Sequence, residues 1–206
     1  LEDLSGRPLS RWDSSFRLGF DLLFDNQNVV PRIYPQYYSV NLFIRGVVDV
    51  CSAMYYNEYH MLYQAGFDFD ELSTFLLEDY GLGFPEDGIY CTESFYRENS
   101  EDCEAFAEAI LEGWDYAREH PEEALDIVMK YVDRAHVPTN RGHMRWMLHS
   151  ILSCILPASG DSWEAGVLSR EDYSRTGEAL VRGKLIGSFP AYEDFVPSGK
   201  EINHVP

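Results

Sequence analysis

The order of strand-like and helix-like segments is the feature that most limits the folds open to this chain. Ser14 and Ser15 can cap a helix directly after the first predicted strand, and comparable helical spacing follows the next strands. Strands that alternate with helices are typical of crossover units, so this part predicts an α/β architecture with a mostly parallel sheet. The predicted strands cover residues 7–12, 32–35, 47–54 and 72–77.

The chain changes character after the glycine-rich stretch at residues 81–88. One more short strand is predicted at residues 89–91, and successive helices are predicted over residues 100–155, followed by another at 170–182. Helices with apolar faces need a surface to cover, and almost no strand follows residue 91. We therefore expect that part of the fold is supplied from outside this chain.

Charge excludes one class of function. The 206 residues include 16 Lys and Arg against 35 Asp and Glu, which gives a formal net charge of −19. A nucleic-acid-binding protein needs a basic face, so the sequence predicts no binding of nucleic acid. No apolar run approaches the ~20 residues that cross a bilayer, so we expect no membrane insertion by this segment. The first seven residues do not resemble a signal peptide, which leaves the compartment undecided.

Common catalytic and metal-binding motifs are not found in the sequence. It contains no Gly-x-Ser-x-Gly, His-Glu-x-x-His or phosphate-binding glycine loop, and no two histidines are four residues apart. We therefore predict no catalytic residue, no metal and no cofactor. The even number of cysteines permits disulfides, although partly buried free thiols are the favoured interpretation. The four cysteines are Cys51, Cys91, Cys103 and Cys154.

One strand-to-helix junction has the residues of a binding site. The apolar strand at 47–54 runs into two tyrosines, Asn57 and Glu58. Ligands of open α/β sheets bind at the carboxyl ends of the strands, where Trp12 and Tyr80 are also expected. Tyrosine rings can stack on a flat heterocycle, and the amide and carboxylate can recognise its donors and acceptors. Capping by Asn57, a Glu58 that faces the helix dipole and simple packing of the tyrosines are the alternative.

Three short segments carry a resemblance when taken together: Met-Tyr-Tyr-Asn-Glu at 54–58, Gly-Trp-Asp-Tyr-Ala at 113–117 and Pro-Glu-Glu-Ala at 121–124. They resemble the NMT1/THI5-like periplasmic substrate-binding proteins of ABC importers, a group that includes binding proteins for thiamine-pyrimidine precursors. Residues 54–58 are similar to the family's Met-x-Tyr-Asn-Glu segment. The pieces Gly-Trp-x-Tyr-Ala at 113–117 and Pro-Glu-Glu-Ala at 121–124 together are fairly specific. The resemblance extends from residue 4 to about residue 195.

The resemblance implies a type II periplasmic-binding fold of the α/β class. Its two lobes have parallel-rich sheets flanked by helices, and they close over a ligand in the cleft by a hinge. Family members carry a first-lobe segment upstream of the point where this chain starts, so we expect the first lobe to be incomplete here. Residues 1–88 would form the second lobe, and residues 89–206 the mostly helical return to the first.

The resemblance also implies which residues form the second-lobe wall. Trp12 and a tyrosine would stack on a heteroaromatic ring, and Glu58 would hydrogen-bond the amino edge of a pyrimidine. The predicted ligand-binding residues are Trp12, Tyr38, Tyr55, Asn57, Glu58 and Tyr80.

The implied function is solute binding for an ABC importer. The ligand would be a small heteroaromatic compound such as a thiamine-pyrimidine precursor, and the partner would be the importer's permease. We expect a periplasmic or extracellular protein, with an upstream lipid anchor left open, and no enzymatic activity. Two alternatives remain, a ligand-sensor domain of a membrane signalling protein and a THI5-like pyrimidine synthase. The synthases carry a cysteine cluster that this chain does not have.

Overall fold

The chain divides into two compact units. The computed structural model describes residues 1–13, 16–85, 87–156, 158 and 164–196. One unit comprises Leu1–Pro85 with Ser174–Phe189, and the other Glu86–Tyr173 with Pro190–Pro206. The lobe boundaries at residues 88 and 89 stay a prediction. The proposed helix cap at Ser14 and Ser15 lies outside the described residues.

The first unit contains a small parallel sheet, as the sequence predicts. Its strand order is β2-β1-β3, and both pairings are parallel. Leu9 of the central strand lies opposite Ile33 on one side and Val50 on the other. The structure therefore confirms an α/β fold in which helices flank a parallel sheet. The strands are β1 (Pro8–Trp12), β2 (Arg32–Gln36) and β3 (Val50–Cys51).

The first helix covers the sheet because its apolar residues recur at helical spacing. Leu18 and Leu22 belong to one buried cluster, and Phe24 packs with Leu9 in a second cluster against the sheet. Asn28 ends the helix in the left-handed conformation, with φ 54°. The helices of this part are α1 (Arg17–Gln27), α2 (Asn41–Ile44) and α3 (Glu58–Gln64).

Three strand predictions are wrong in extent or in kind. The strand expected at 47–54 is reduced to β3, because Val50 and Cys51 are the residues that pair with β1. Residues 72–76 lie instead between two 3-10 turns, Phe69–Glu71 and Leu77–Tyr80, and Leu77 begins the second of them. Leu77 packs on the α1 cluster, so its apolar character serves helix packing rather than strand pairing.

The strand predicted at residues 89–91 is also wrong. Ile89 and Tyr90 are exposed, and neither is in a strand. Thr92 follows them and caps a short helix, accepting a hydrogen bond from the backbone N–H of Phe95 at 3.3 Å. The sequence analysis missed this helix because its six residues include no buried side chain that would mark an apolar face. It is α4 (Glu93–Glu98).

The second unit is a run of helices, which confirms the prediction for residues 100–155. Pro121 begins α6, where its lack of an N–H has no cost, and Asn140 caps α7 by accepting from the N–H of His143 at 2.9 Å. Of the helices in the described residues, none is long and apolar enough to cross a membrane. The helices after α4 are α5 (Ser100–Glu119), α6 (Pro121–Ala135), α7 (Arg141–Ile155), α8 (Arg170–Arg182) and α9 (Tyr192–Phe195). Most of α8, from residue 174 onward, belongs to the first unit.

Candidate functional site

Buried polar side chains join the carboxyl ends of the three strands. The Ser10 hydroxyl donates to Oε1 of Gln36 at 2.8 Å, and Nε2 of Gln36 donates to the Ser52 carbonyl at 2.7 Å. Ser52 Oγ accepts from the backbone N–H of Trp12 at 3.2 Å. Ser10, Gln36 and Ser52 are at most 4% exposed, so these bonds replace lost contacts with water. The network fixes the ends of β1, β2 and β3 relative to one another.

A cavity of about 200 Å³ opens at this edge of the sheet. Trp12 ends β1, while Asn57 and Glu58 stand where α3 begins after β3. The cavity therefore lies at the carboxyl end of parallel strands, the position at which open α/β sheets bind ligands. Its lining residues are Trp12, Phe16, Met54, Tyr56, Asn57 and Glu58.

Glu58 places a carboxylate in the wall of this cavity. The residue is 3% exposed, and its Oε2 accepts from the backbone N–H of Met54 at 3.0 Å. This bond ties the loop after β3 to the first turn of α3. A carboxylate has acceptor sites for about four hydrogen bonds, so one backbone donor leaves capacity for others.

The charge of Glu58 affects the pKa of the Cys51 thiol. Burial, and then the negative charge of Glu58, raise the pKa of Cys51 to about 12 from its ordinary value of 9.0. Both effects disfavour a second anion at this position. Cys51 therefore remains a neutral thiol at neutral pH, and Glu58 supplies the negative charge at this position.

Trp12 contributes a hydrogen-bond donor and an aromatic wall. Its indole Nε1–H is shielded from solvent and has no hydrogen-bond partner within the described part of the chain. The ring meets Tyr38 edge to face, with centroids 5.7 Å apart and an interplanar angle of 76°. Tyr38 itself is 88% exposed and does not line the cavity. A buried unpaired donor is costly unless an acceptor reaches it.

The two tyrosines of the junction have different surroundings. Tyr56 lines the cavity, whereas Tyr55 stacks on Tyr59 with centroids 5.3 Å apart. Tyr55 belongs to a half-exposed aromatic stack that continues through Tyr59 to Phe69. The structure thus places Tyr55 against a neighbouring helix residue and puts the next residue along the chain in the cavity wall.

Tyr80 lies at a different cavity of the first unit. That cavity measures about 370 Å³ and is lined in part by Arg175, Glu178 and Arg182 of α8. Among the six residues predicted from sequence, the structure brings Trp12, Asn57 and Glu58 together in one wall. Tyr38 touches Trp12, and Tyr55 and Tyr80 lie elsewhere.

The sequence analysis missed two sets of residues. Phe16, Met54 and Tyr56 complete the cavity wall. Met54 and Tyr56 are fixed positions of the Met-x-Tyr-Asn-Glu segment at 54–58, which was the available signal for them, whereas no sequence pattern marks Phe16. Ser10 and Gln36 form the buried network at the strand ends. Strands β1 and β2 each contain other polar residues, so the sequence offers no signal that these two are buried. Over the described residues, no group of three or more His, Cys, Asp or Glu side chains could hold a metal ion.

Comparison with known proteins places the chain in a family. Residues 1–124, more than half of the chain, match the family model described as NMT1/THI5 like. This range includes every residue that lines the cavity at the strand ends. A formylaminopyrimidine-binding protein of Halalkalibacterium halodurans is 32% identical over 97 residues. That match covers 46% of this chain and 28% of the relative, so the chain corresponds to little more than a quarter of that protein. The chain belongs to the NMT1/THI5-like family.

Proposed function

We propose that this chain is part of a solute-binding protein whose ligand is a small heteroaromatic compound of the aminopyrimidine class. One observation carries the proposal: the cavity at the strand ends is lined by the buried carboxylate residue Glu58 together with the aromatic side chains of Trp12, Phe16 and Tyr56. Family membership and a relative named for binding formylaminopyrimidine support the same ligand class.

The size of the cavity favours a ligand with a single ring. Pockets for drug-sized molecules measure roughly 300–1,000 Å³, and this cavity measures about 200 Å³. A pyrimidine with short substituents suits such a volume better than a nucleotide or a peptide does. The second wall implied by the family resemblance would come from the other lobe.

The lining residues provide complementary chemistry for an aminopyrimidine. An exocyclic amine on the ring would donate to the free acceptor positions of the Glu58 carboxylate. The aromatic side chains of Trp12, Phe16 and Tyr56 would pack on the ring. Hydrogen bonds to a buried charge are the stronger kind, so Glu58 would contribute most to selectivity.

The same groups favour binding over catalysis. The cavity offers aromatic side chains, an amide and a carboxylate. The neighbouring Cys51 thiol has a raised pKa, which makes it a poor nucleophile. We therefore propose a non-enzymatic, periplasmic or extracellular protein that delivers its ligand to the permease of an ABC importer.

Calorimetry on the complete protein tests the proposal. We expect a formylated aminopyrimidine to bind, and Glu58→Gln to weaken it by about 10- to 100-fold, the range of a lost charge-assisted hydrogen bond. Gln keeps an oxygen that can accept from the N–H of Met54, so the loop should be retained.

The matched control is Glu71→Gln. Glu71 also accepts a backbone N–H, that of Asp68 at 2.9 Å, but it is exposed and does not line the cavity. Unchanged affinity in Glu58→Gln, or an equal loss in both variants, would show that the site is elsewhere.

A further inference from the structure

A short helical hairpin at the start of the second unit brings two cysteines together. The hairpin consists of α4 and α5, which pack against each other on either side of Asn99. Asn99 closes α4 twice, through its backbone N–H and its side-chain amide, both of which donate to the Phe95 carbonyl at 2.9 and 3.0 Å. Cys91 lies just before α4 and Cys103 near the start of α5, so the hairpin folds one towards the other.

The two thiols lie near each other. The Cys91 side chain is close enough to that of Cys103 to raise its pKa, and Cys91 is exposed while Cys103 is half-buried. The remaining two cysteines have other surroundings. Cys51 lies in β3 of the first unit, and the Cys154 thiol on α7 donates to the Ser150 carbonyl at 3.4 Å.

We propose that Cys91 and Cys103 form an intramolecular disulfide when the protein meets an oxidising pool of low-molecular-weight disulfides. The bond would close the segment between residues 91 and 103. It would tie the start of α4 to α5. Nothing in this proposal depends on the ligand or on the cavity of the first unit.

The exchange proceeds in two steps that balance. The Cys91 thiol loses its proton to solvent, and its thiolate attacks a sulfur of glutathione disulfide, so that one glutathione leaves as a thiolate and takes up a proton. The Cys103 thiolate then attacks the Cys91 sulfur of the mixed disulfide and releases the second glutathione. Two protein thiols are oxidised and one glutathione disulfide is reduced to two thiols.

Exposure and charge determine the order of attack. Burial, the nearby Cys91 side chain and the carboxylates of Asp102 and Glu104 all raise the pKa of the Cys103 thiol. A thiol with a raised pKa forms less thiolate, so the exposed Cys91 reacts first and Cys103 resolves the adduct.

A disulfide at this position would stabilise α4. Helix α4 has six residues and no buried side chain, and helices this short are marginal without packing. A disulfide just before the N-terminus of α4 would hold this helix on α5, while Asn99 caps its C-terminus. The disulfide would thus stabilise a short helix that has no buried side chain of its own.

Peptide mapping tests the proposal. The complete protein is equilibrated with glutathione disulfide, its free thiols are alkylated, and it is digested with trypsin. Cleavage after Arg45, Arg97 and Arg118 separates residues 46–97 from residues 98–118, so a bond between Cys91 and Cys103 joins two peptides. We expect the joined pair with Cys51 alkylated, a mass lower by two hydrogen atoms, and recovery of both thiols on reduction.

Variants decide between the outcomes. Cys91→Ser and Cys103→Ser should each abolish the joined pair, while Cys154→Ser, which removes another exposed thiol, should leave it intact. A stable glutathione adduct on Cys91 without the joined pair, a bond that involves Cys154, or full alkylation of both cysteines in the oxidised sample would overturn the proposal.

Discussion

The two units use polar side chains in opposite ways. In the first unit, Ser10, Gln36 and Ser52 are buried and bonded to one another beneath the cavity. In the second, the prominent polar contacts are ion pairs on the surface, where Glu122 bonds Arg141 and Arg145 between α6 and α7 at 2.8–2.9 Å. Buried polar groups cost free energy unless they are paired, whereas exposed ion pairs contribute little.

This difference separates the site from the overall charge. The formal net charge of −19 comes from carboxylates that are mostly on the surface, and it does not describe the cavity. The candidate site depends on a single buried carboxylate, Glu58, and on aromatic residues held at the strand ends. The net charge argues against a nucleic-acid ligand. The buried network instead fixes the strand ends at which we propose that a small heteroaromatic ligand binds.

If apolar contacts rather than ion pairs hold the second unit, Leu125→Ala should have the largest effect on stability. Leu125 is 2% exposed on the inner face of α6. Removing its side chain should lower the free energy of unfolding by about 2–5 kcal/mol, measured in urea. Ile127→Ala on the same helix is the control, since Ile127 is 50% exposed and should cost much less. Equal losses would show that this helix has no buried face.

The buried network of the first unit should give an effect close to this in size. Gln36→Ala leaves the Ser10 hydroxyl and the Ser52 carbonyl without their partner, which costs roughly 1–3 kcal/mol for each group. We expect a clear loss in the free energy of unfolding. Gln27→Ala, at an exposed position at the end of α1, should change stability by less than about 0.5 kcal/mol. A neutral Gln36→Ala would contradict the contrast between the units.

Removing the charge of Glu58 should change the pKa of Cys51. In Glu58→Gln the pKa of Cys51 should fall below about 12, because the second cause of its rise is removed. It should stay above its ordinary value, since burial is the larger cause. The measurement is the rate of Cys51 alkylation as a function of pH, followed by mass spectrometry. A pH profile identical to that of the wild type would mean that Glu58 carries no charge near this thiol.

The ion pairs of the second unit should give the smallest effect. Hydrogen bonds from Arg145 and Arg141 lower the pKa of Glu122 from its ordinary value of 4.5 to about 2. A lowered carboxyl pKa adds stability above pH 4.5, and that contribution is lost as the pH falls towards about 2. Glu122→Gln should therefore flatten the pH dependence of thermal unfolding slightly in this range. At neutral pH the change should be small, because the pairs are exposed.

Local sequence patterns predicted the position of several helices and strands correctly. Helix α8 begins and ends at the residues expected, and β1 and β2 each differ by one residue from the short strands predicted at 7–12 and 32–35. Residues 72–77 were not predictable in this way, because an apolar run between turns can pack on a helix as easily as pair in a sheet. Residue types alone do not separate Tyr55 from Tyr56, but Tyr56 is the fixed tyrosine of the Met-x-Tyr-Asn-Glu segment, and it is the one that lines the cavity.

A thermodynamic cycle on Glu58 and the ligand's exocyclic amine tests the central claim most directly. Calorimetry would compare an aminopyrimidine with its deaminated analogue, in the wild-type protein and in Glu58→Gln. If the amine donates to the carboxylate, deamination should weaken binding by about tenfold or more in the wild type and by much less in the variant. An equal loss in both proteins would show that the amine is recognised by another group, and the assignment of this cavity as the ligand site would fail.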